Sequence, residues 1–321
     1  MINQLLPAWQ GQRVLLIGHS GRPCAFMQAL LESLGARCAR IPPGMDAEPL
    51  CRAMQAGHIS AVVIPELRAL AGGDDPCTPL AALHLILCEC REAGVPLALL
   101  LSDASVYRGE ALPAFAREGD PIGGQSRDGL LQSILQLYAD GFSRGLMGDA
   151  VSVQCVRHLP LLGCGHPAVS AYSRWCASLD SSDLLTVPHP GRQCAFLHPA
   201  DVFCGALLLG ARFLLGDTAC TGIYNLGTEL HSLAANRTAA LRMIREHGGT
   251  RPIREIFPPD DPPPPMPDGT RARMLCGAGS RVPFNDALTQ LLLLERASRL
   301  SPEAESAEIR RQAEWYLTTY A

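Results

Sequence analysis

The chain has 321 residues, of which 47% are hydrophobic and 18% are charged, so it can bury a sizeable core in one or two domains. Its formal net charge of −4 argues against a nucleic-acid partner or an anionic membrane surface, both of which attract basic proteins. All 27 basic residues are arginine and none is lysine, which excludes a Schiff-base lysine and the lysine of a phosphate-binding loop.

The 13 cysteines are scattered, and no two pairs of them have the spacing of a zinc site, so we predict no bound metal. The segment from Met1 to Gly18 lacks the basic and apolar regions of a secretion signal. The longest apolar runs, such as Gly205 to Leu215, are too short or too interrupted to span a bilayer. We therefore expect a cytoplasmic protein whose thiols are reduced and packed as small apolar groups.

Strand and helix patterns alternate along the first hundred residues. The predicted strands are Val14–Ile17, Ala36–Ile41, Ser60–Ile64 and Leu97–Leu101, and the predicted helices are Ala25–Leu34, Ala47–Ala56 and Leu80–Ala93. Further helices are predicted over Arg127–Phe142, over Phe284–Arg299 and from Ser301 through Tyr316. Alternation of this kind produces βαβ units with right-handed crossovers. The sequence therefore predicts an α/β fold with a Rossmann-like doubly wound parallel sheet, whose ligands bind at the carboxyl ends of the strands.

The turn after the first predicted strand carries the first sign of a ligand site. It begins at Gly18 with the sequence Gly-His-Ser-Gly and resembles the cofactor turn of the extended short-chain dehydrogenases, the NAD-dependent epimerases and dehydratases. The resemblance is nearest to the CDP-glucose 4,6-dehydratase branch, whose turn reads Gly-His-Thr-Gly. Gly18 and Gly21 match the first two family glycines, whereas Cys24 replaces the third, which normally allows the helix to pack closely on the strand. The resemblance implies that Gly18, Ser20, Gly21 and Arg22 contact the cofactor, and a purely structural turn is the alternative.

Other segments resemble the same family, in the same order along the chain. They are Ser102–Tyr107, Arg192–Gly205, Ile223–Gly227, Arg271–Leu275 and Val282–Phe284. The resemblance implies a dinucleotide-binding domain formed by residues 1–155 and about 192–228. It also implies a smaller C-terminal α/β lobe, formed by about 156–191 and 229–321, that binds the substrate, a nucleotide-sugar in this family.

The positions that carry the family's chemistry are altered. In the family, a tyrosine is the general acid/base, a lysine one helical turn later lowers its pKa, and a serine or threonine hydrogen-bonds the reacting oxygen. Aligned on these motifs, Ile122 occupies the tyrosine position, Ser126 the lysine position and Asp103 the serine or threonine position. Isoleucine has no titratable proton, and no shift of the alignment supplies a lysine. Asp103 is either a substitute base whose pKa is raised by burial or an ordinary Asx-turn residue.

Residues expected to bind the cofactor and the substrate differ as well. The second strand ends near Arg40 instead of an acidic residue, which favours NADP over NAD unless Arg40 is only a surface residue. The segment 64–68 after the third strand is bulkier and more charged than in the family, so these changes argue against tight binding of NAD or NADP. Arg127 could hold a ribose hydroxyl, although its permanent charge makes it a poor proton relay. The resemblance places Arg157 and Arg192 at a substrate diphosphate, and solvated rim residues are the alternative.

Two classes of function remain open. The chain is a catalytically inactive or impaired homologue that acts as a nucleotide-binding, regulatory or scaffold subunit, or it is an active epimerase, dehydratase or oxidoreductase that uses substitute residues such as Asp103. Family members pair through two helices that are apolar in this chain, Leu80–Ala93 and Arg127–Phe142. We therefore expect a homodimer or a heterodimer.

Overall fold

The structure is a computed structural model of the chain. It describes residues 5–19, 21–43, 47–55, 57–70, 77–107, 115–124, 126–146, 151–165, 173–174, 176, 185–188, 196–227, 246, 253–256 and 266–320.

A six-stranded parallel sheet forms the centre of the fold. The strands of the chain are β1 (Arg13–Ile17), β2 (Arg37–Ile41), β3 (Ala61–Ile64), β4 (Leu97–Asp103), β5 (Phe115–Ala116), β6 (Ser152–His158), β7 (Leu185–Pro188), β8 (Gly222–Leu226), β9 (Ile253–Ile256) and β10 (Met266–Pro267). The order in the large sheet is β2-β1-β3-β4-β6-β8, while β5 pairs with β10 and β7 pairs with β9. Because β1 pairs with β2 on one side and with β3 on the other, the strand order reverses between β1 and β3. Open α/β sheets bind their ligands at such a point.

Helices cover both faces of this sheet. They are α1 (Arg22–Ser33), α2 (Ala47–Gln55), α3 (Cys77–Glu92), α4 (Arg127–Ser143), α5 (Pro199–Leu214), α6 (Thr270–Cys276), α7 (Phe284–Leu300) and α8 (Pro302–Tyr320). Side chains of a strand point alternately to the two faces, and in β1 Val14 and Leu16 join the core beneath α1, α5, α7 and α8. Leu15 and Ile17 join the core beneath α2, α3 and α4. This arrangement confirms the predicted Rossmann-like, doubly wound α/β fold.

The bounds of the predicted elements shift by a few residues. Helix α1 begins at Arg22 instead of Ala25, because Gly21 serves as its N-cap and Pro23 fits its first turn, where no hydrogen bond from the nitrogen is needed. Helix α3 begins at Cys77 instead of Leu80. Strand β4 continues to Asp103, which brings that carboxylate to the carboxyl edge of the sheet.

The C-terminal helices pack on one face of the sheet. Helix α8 contacts α1 and α7, and the Tyr316 hydroxyl donates a hydrogen bond to Oδ1 of Asp201 in α5 over 2.9 Å. Arg22 at the start of α1 forms ion pairs with Glu295 of α7 at 2.7 Å and with Glu305 of α8 at 2.6 Å. Helices α7 and α8 thus share a core with the sheet. The division of the chain into two domains stays a prediction.

None of the described helices is both long enough and apolar enough to cross a membrane.

Candidate functional site

A cleft of about 580 Å³ opens at the carboxyl ends of β1 and β3. It is bounded by the turn after β1, by the segment that follows β3 and by the first turns of α4. Ligand pockets typically measure about 300–1,000 Å³, so a small organic ligand fits. The cleft lies where the strand order reverses, which is the place at which the sequence predicted a ligand site.

Two glycines in the turn after β1 line this cleft, and neither the backbone conformation nor a neighbouring atom requires a glycine at these two positions. Gly21 has a φ of −78°, which any residue can adopt, and Gly18 is not among the residues with positive φ. A Cβ at Gly18 would lie 3.4 Å from Sγ of Cys24, and a Cβ at Gly21 would lie 3.7 Å from Cδ of Pro23, both ordinary contact distances. The backbone at both positions is therefore open to close approach by a ligand.

Charged groups of both signs line the cleft. Glu66 accepts a hydrogen bond from Nε of Arg68, and burial raises the pKa of the Glu66 carboxyl, although Arg68 acts in the opposite direction. Arg127 is the first residue of α4 and lies at the cleft together with His19 and Asp128. A guanidinium can bind phosphate oxygens through two parallel hydrogen bonds, so Arg127 suits an anionic ligand.

Apolar side chains of α4 also line the cleft. Leu130, Leu131 and Ile134 of α4 line it, and 51% of Leu130 and 40% of Ile134 are exposed. The thiol of Cys24 also lines the cleft, and burial raises its pKa to about 11, so it is a neutral group at neutral pH. The cleft lining thus combines charged and apolar groups.

A second cavity, beside Asp103, measures only about 20 Å³. A water molecule needs about 10–15 Å³ of such space, so this cavity has room for about one. Pro65, Glu66 and Arg68 line both cavities and therefore form the wall between them. We call these three residues the partition.

Both carboxylate oxygens of Asp103 accept hydrogen bonds. Oδ1 accepts from the backbone nitrogen of Ser105 over 2.8 Å, as in an Asx-turn, and Oδ2 accepts from Nε2 of Gln132 over 3.0 Å. Asp103 caps the short 3₁₀ helix Ala104–Val106 and is 8% exposed. Its use as a catalytic base stays a prediction.

Ile122 and Ser126 lie in the loop before α4, outside the cleft lining that the structure describes. Ile122 forms an isolated antiparallel bridge with Tyr107. Ser126 is the N-cap of α4, and its Oγ accepts a hydrogen bond from the nitrogen of Gly129 over 3.0 Å. At this helix end, Arg127 and not Ser126 is in position to touch a ligand.

Arg157 of β6 is buried, with 1% of its surface exposed. Its Nε donates to Oε1 of Gln136 over 2.7 Å, and its Nη1 donates to the hydroxyl of Tyr107 over 2.9 Å. That hydroxyl donates in turn to Oδ1 of Asn225 over 2.6 Å. Burial raises the pKa of Tyr107, which the Arg157 cation opposes only in part, so the phenol stays neutral. The guanidinium is used inside the protein, and its predicted contact with a substrate diphosphate stays a prediction.

The other predicted binding residues occupy different places. Arg22 donates to the carbonyl of Gly163 over 2.7 Å in addition to its two ion pairs. Arg40 is exposed near the end of the edge strand β2 and is not among the described residues that line the cleft. Ser20 and Arg192 lie outside the described residues.

Sequence reasoning missed the buried amides around Asp103. Gln132 and Gln136 of α4 are each 1% exposed. Nε2 of Gln136 donates to Oγ of Ser102 over 2.6 Å, and Oγ of Ser102 donates to Oε1 of Gln132 over 2.9 Å. The available signal was two glutamines four residues apart on a helix face that packs on the sheet.

The part of the chain that the structure describes holds no group of three or more His, Cys, Asp or Glu side chains that could bind a metal ion.

The fold and the position of the cleft define a class: the chain has the fold of the NAD-dependent epimerases and dehydratases of the extended short-chain dehydrogenase type. It is similar to the epimerase Mth375 from Methanothermobacter thermautotrophicus, with a TM-score of 0.70 and 14% identity over 99% of this chain and 98% of that one. It is also similar to a UDP-glucose-4-epimerase from Stenotrophomonas maltophila solved with NAD and formylated UDP-arabinopyranose, with a TM-score of 0.70 and 19% identity over 90% of this chain and 100% of that one.

A third similar structure is DesIV, a dTDP-glucose 4,6-dehydratase from Streptomyces venezuelae solved with NAD and TYD bound. Its TM-score is 0.65 at 17% identity, over 91% of this chain and 100% of that one. No protein-family model and no curated protein matches the sequence. At these identities the likeness shows the fold, and the resemblance to the CDP-glucose branch stays a prediction.

Proposed function

We propose that this protein is a catalytically impaired homologue of the NAD-dependent epimerases and dehydratases that binds a nucleotide at the cleft and acts as a regulatory or scaffold subunit. One observation carries the proposal: the described lining of the cleft contains arginine, histidine, carboxylate, thiol and apolar groups but no phenol. Proton transfer of the family type needs a titratable hydroxyl at the reacting atom. Nucleotide binding needs only a polar end for phosphate and an apolar face for a base.

The fit of a whole NAD molecule can be tested against this geometry. Gly18, Gly21 and Arg127 suit its diphosphate. The family resemblance puts the reacting oxygen, and with it the end of NAD that reacts, beside the residue at position 103, where the cavity of about 20 Å³ has room for about one water molecule. The described residues therefore fit the nucleotide portion of NAD but not its nicotinamide ring, and we derive no hydride-transfer step.

An active enzyme that uses Asp103 as its base is the alternative. A base must reach the proton it removes, yet both oxygens of Asp103 are engaged with Ser105 and Gln132. The partition also lies between this carboxylate and the larger cleft. These contacts favour the impaired homologue.

A binding and turnover experiment tests the proposal. We expect calorimetry to show one nucleotide bound per chain, with UDP-glucose, CDP-glucose, NAD and NADP as probes. We expect no absorbance change at the nicotinamide band and no conversion of the sugar, because the chain has no lysine and the described lining of the cleft has no phenol.

The variant Arg127→Ala should weaken nucleotide binding about tenfold, since one charge-assisted contact is lost. Arg310→Ala, at an exposed arginine of α8, is the matched control and should change nothing. Sugar-nucleotide turnover by the wild-type protein would overturn the proposal.

A further inference from the structure

We propose that the cleft is a site for a nucleoside diphosphate, and that the partition keeps dinucleotides from binding with their second nucleotide beside Asp103. This inference rests on the proposed function, because it names the class of ligand that the same cleft takes.

The three residues of the partition come directly after strand β3 in the chain. Pro65 comes immediately after the strand, and its Cδ would lie 3.9 Å from a Cβ placed at Gly18, so it stands against the turn after β1. Glu66 and Arg68 form an ion pair whose side chains are 28% and 23% exposed. An ion pair at this position is bulky and is held by its own hydrogen bond. It therefore separates the cleft from the small cavity at Asp103.

The volumes on the two sides of the partition differ by more than an order of magnitude. The side at α1 and α4 measures about 580 Å³, and the side at Asp103 about 20 Å³. A ligand that reaches the turn at Gly18 and Gly21 has room there for a base, a ribose and two phosphates. A second nucleoside would have to pass the partition or extend into solvent, and in either case it makes few contacts.

The lining of the larger side matches the chemistry of a nucleoside diphosphate. Arg127 and His19 line the cleft and can donate hydrogen bonds to the oxygens of a diphosphate. Leu130 and Ile134 form an apolar face on which a flat base can lie. The glycines at 18 and 21 leave the backbone open to a phosphate, and no internal contact explains their lack of a side chain.

A graded ligand series tests the inference. Calorimetry compares ADP, UDP, ADP-ribose and NAD on the intact protein. We expect ADP or UDP to bind at one per chain and NAD to bind no more tightly than ADP, because its nicotinamide riboside gains no contacts.

Gly21→Ala should weaken ADP or UDP binding about tenfold or more while lowering the unfolding midpoint only slightly, since its Cβ has ordinary contacts and the one cost is that alanine is a poorer N-cap of α1 than glycine. Gly279→Ala is the matched control, because a Cβ there has nothing within 4 Å.

Removal of the ion pair of the partition is a second test of the inference. The double variant Glu66→Ala with Arg68→Ala deletes both members of the ion pair, so neither is left unpaired. We expect NAD affinity to rise about tenfold while ADP affinity stays within about threefold. The double variant Asp140→Ala with Arg144→Ala removes an ion pair on α4 that does not line the cleft, and it should change neither affinity.

The outcomes separate this inference from the proposed function. Wild-type protein that binds NAD about tenfold more tightly than ADP, without turnover, would overturn the inference and leave the proposed function standing. A lack of binding by both ADP and UDP would also overturn it. Sugar-nucleotide turnover is the result that removes the proposed function itself.

Discussion

Two charged side chains are buried in separate hydrogen-bonded networks. Arg157 is 1% exposed and joins Tyr107 to Gln136, and Asp201 is 3% exposed. A buried charge is costly unless it is hydrogen-bonded, and each of these has several partners. Around Arg157, the phenol of Tyr107 and the amide of Gln136 are part of the protein interior.

For Asp201, burial raises the carboxyl pKa to about 6, while hydrogen bonds from Tyr316 and from the backbone of Val282 and Arg281 act in the opposite direction. The unfolded value is near 3.9, so the folded protein holds this proton more tightly than the unfolded chain does. The stabilisation linked to it is fully present below about pH 4 and is lost as the pH rises through about 6.

We predict that the wild type loses stability relative to Asp201→Asn as the pH rises from about 4 to about 6. The difference between their free energies of unfolding, wild type minus variant, falls by about 1–3 kcal/mol over this range. Urea unfolding at several pH values measures the difference. Glu314→Gln, at an exposed carboxylate of α8, is the control and should give a difference that does not vary over this range. A difference that rises with pH would contradict the prediction.

At the scale of elements, the start of α4 packs closely against the loop after β4, because Gly124 and Gly129 have no side chains. A Cβ at Gly124 would lie 2.3 Å from the carbonyl oxygen of Ser105, and a Cβ at Gly129 would lie 2.4 Å from the same atom. The backbone of Ser105 lies too close for a Cβ at either position to be accommodated. This contact sets the position of the start of α4, and with it the position of Arg127 at the cleft.

We predict that Gly129→Ala lowers the free energy of unfolding by about 2 kcal/mol or more, because the new methyl group overlaps the backbone of Ser105. Gly141→Ala on the same helix is the matched control. Its Cβ would lie 3.7 Å from Cδ1 of Leu146, so alanine should be neutral or stabilise by up to about 1 kcal/mol. Urea unfolding compares the two variants, and equal stability for both would show that the contact at Ser105 relaxes without cost.

At the scale of the whole molecule, α4 presents an apolar stripe to solvent. Leu137, which is not among the described cleft-lining residues, is 61% exposed, and it lies one turn beyond Ile134 on the same face of the helix. The sequence predicted pairing through this helix and α3, and we retain a second copy of the chain as the proposed partner. Covering Leu137 gives such pairing an apolar driving force.

We predict that Leu137→Glu converts a dimer to a monomer without unfolding it, because the variant places a charge in the apolar stripe but leaves the core intact. Sedimentation velocity measures the oligomeric state, and circular dichroism checks the fold. Leu300→Glu, at an 80% exposed leucine that ends α7, is the control and should leave the dimer unchanged. A wild-type protein that sediments as a monomer would contradict the proposed pairing.

Much of the architecture could be predicted from local patterns. Short apolar runs between glycine and proline, alternating with helical spacing, indicated β1 to β4 and the helices between them within a few residues. The candidate site was predictable in part, because the glycines at 18 and 21 marked the turn where the cleft lies. The sequence also suggested Arg157 as a ligand contact, but it could not show that this side chain would be buried against Tyr107, because those residues are 50 positions apart.

The sequence by itself determined the parallel α/β fold and the lack of lysine, because periodicity and composition are properties of the chain that no packing can change. Only the tertiary structure decided what lies around Asp103. The partition comes from residues after β3, the amides come from α4, and the bond from Tyr107 to Asn225 spans 118 positions. The packing of distant segments decides which of these groups fill a cavity and which leave it open, and the order of residues along the chain does not show this packing.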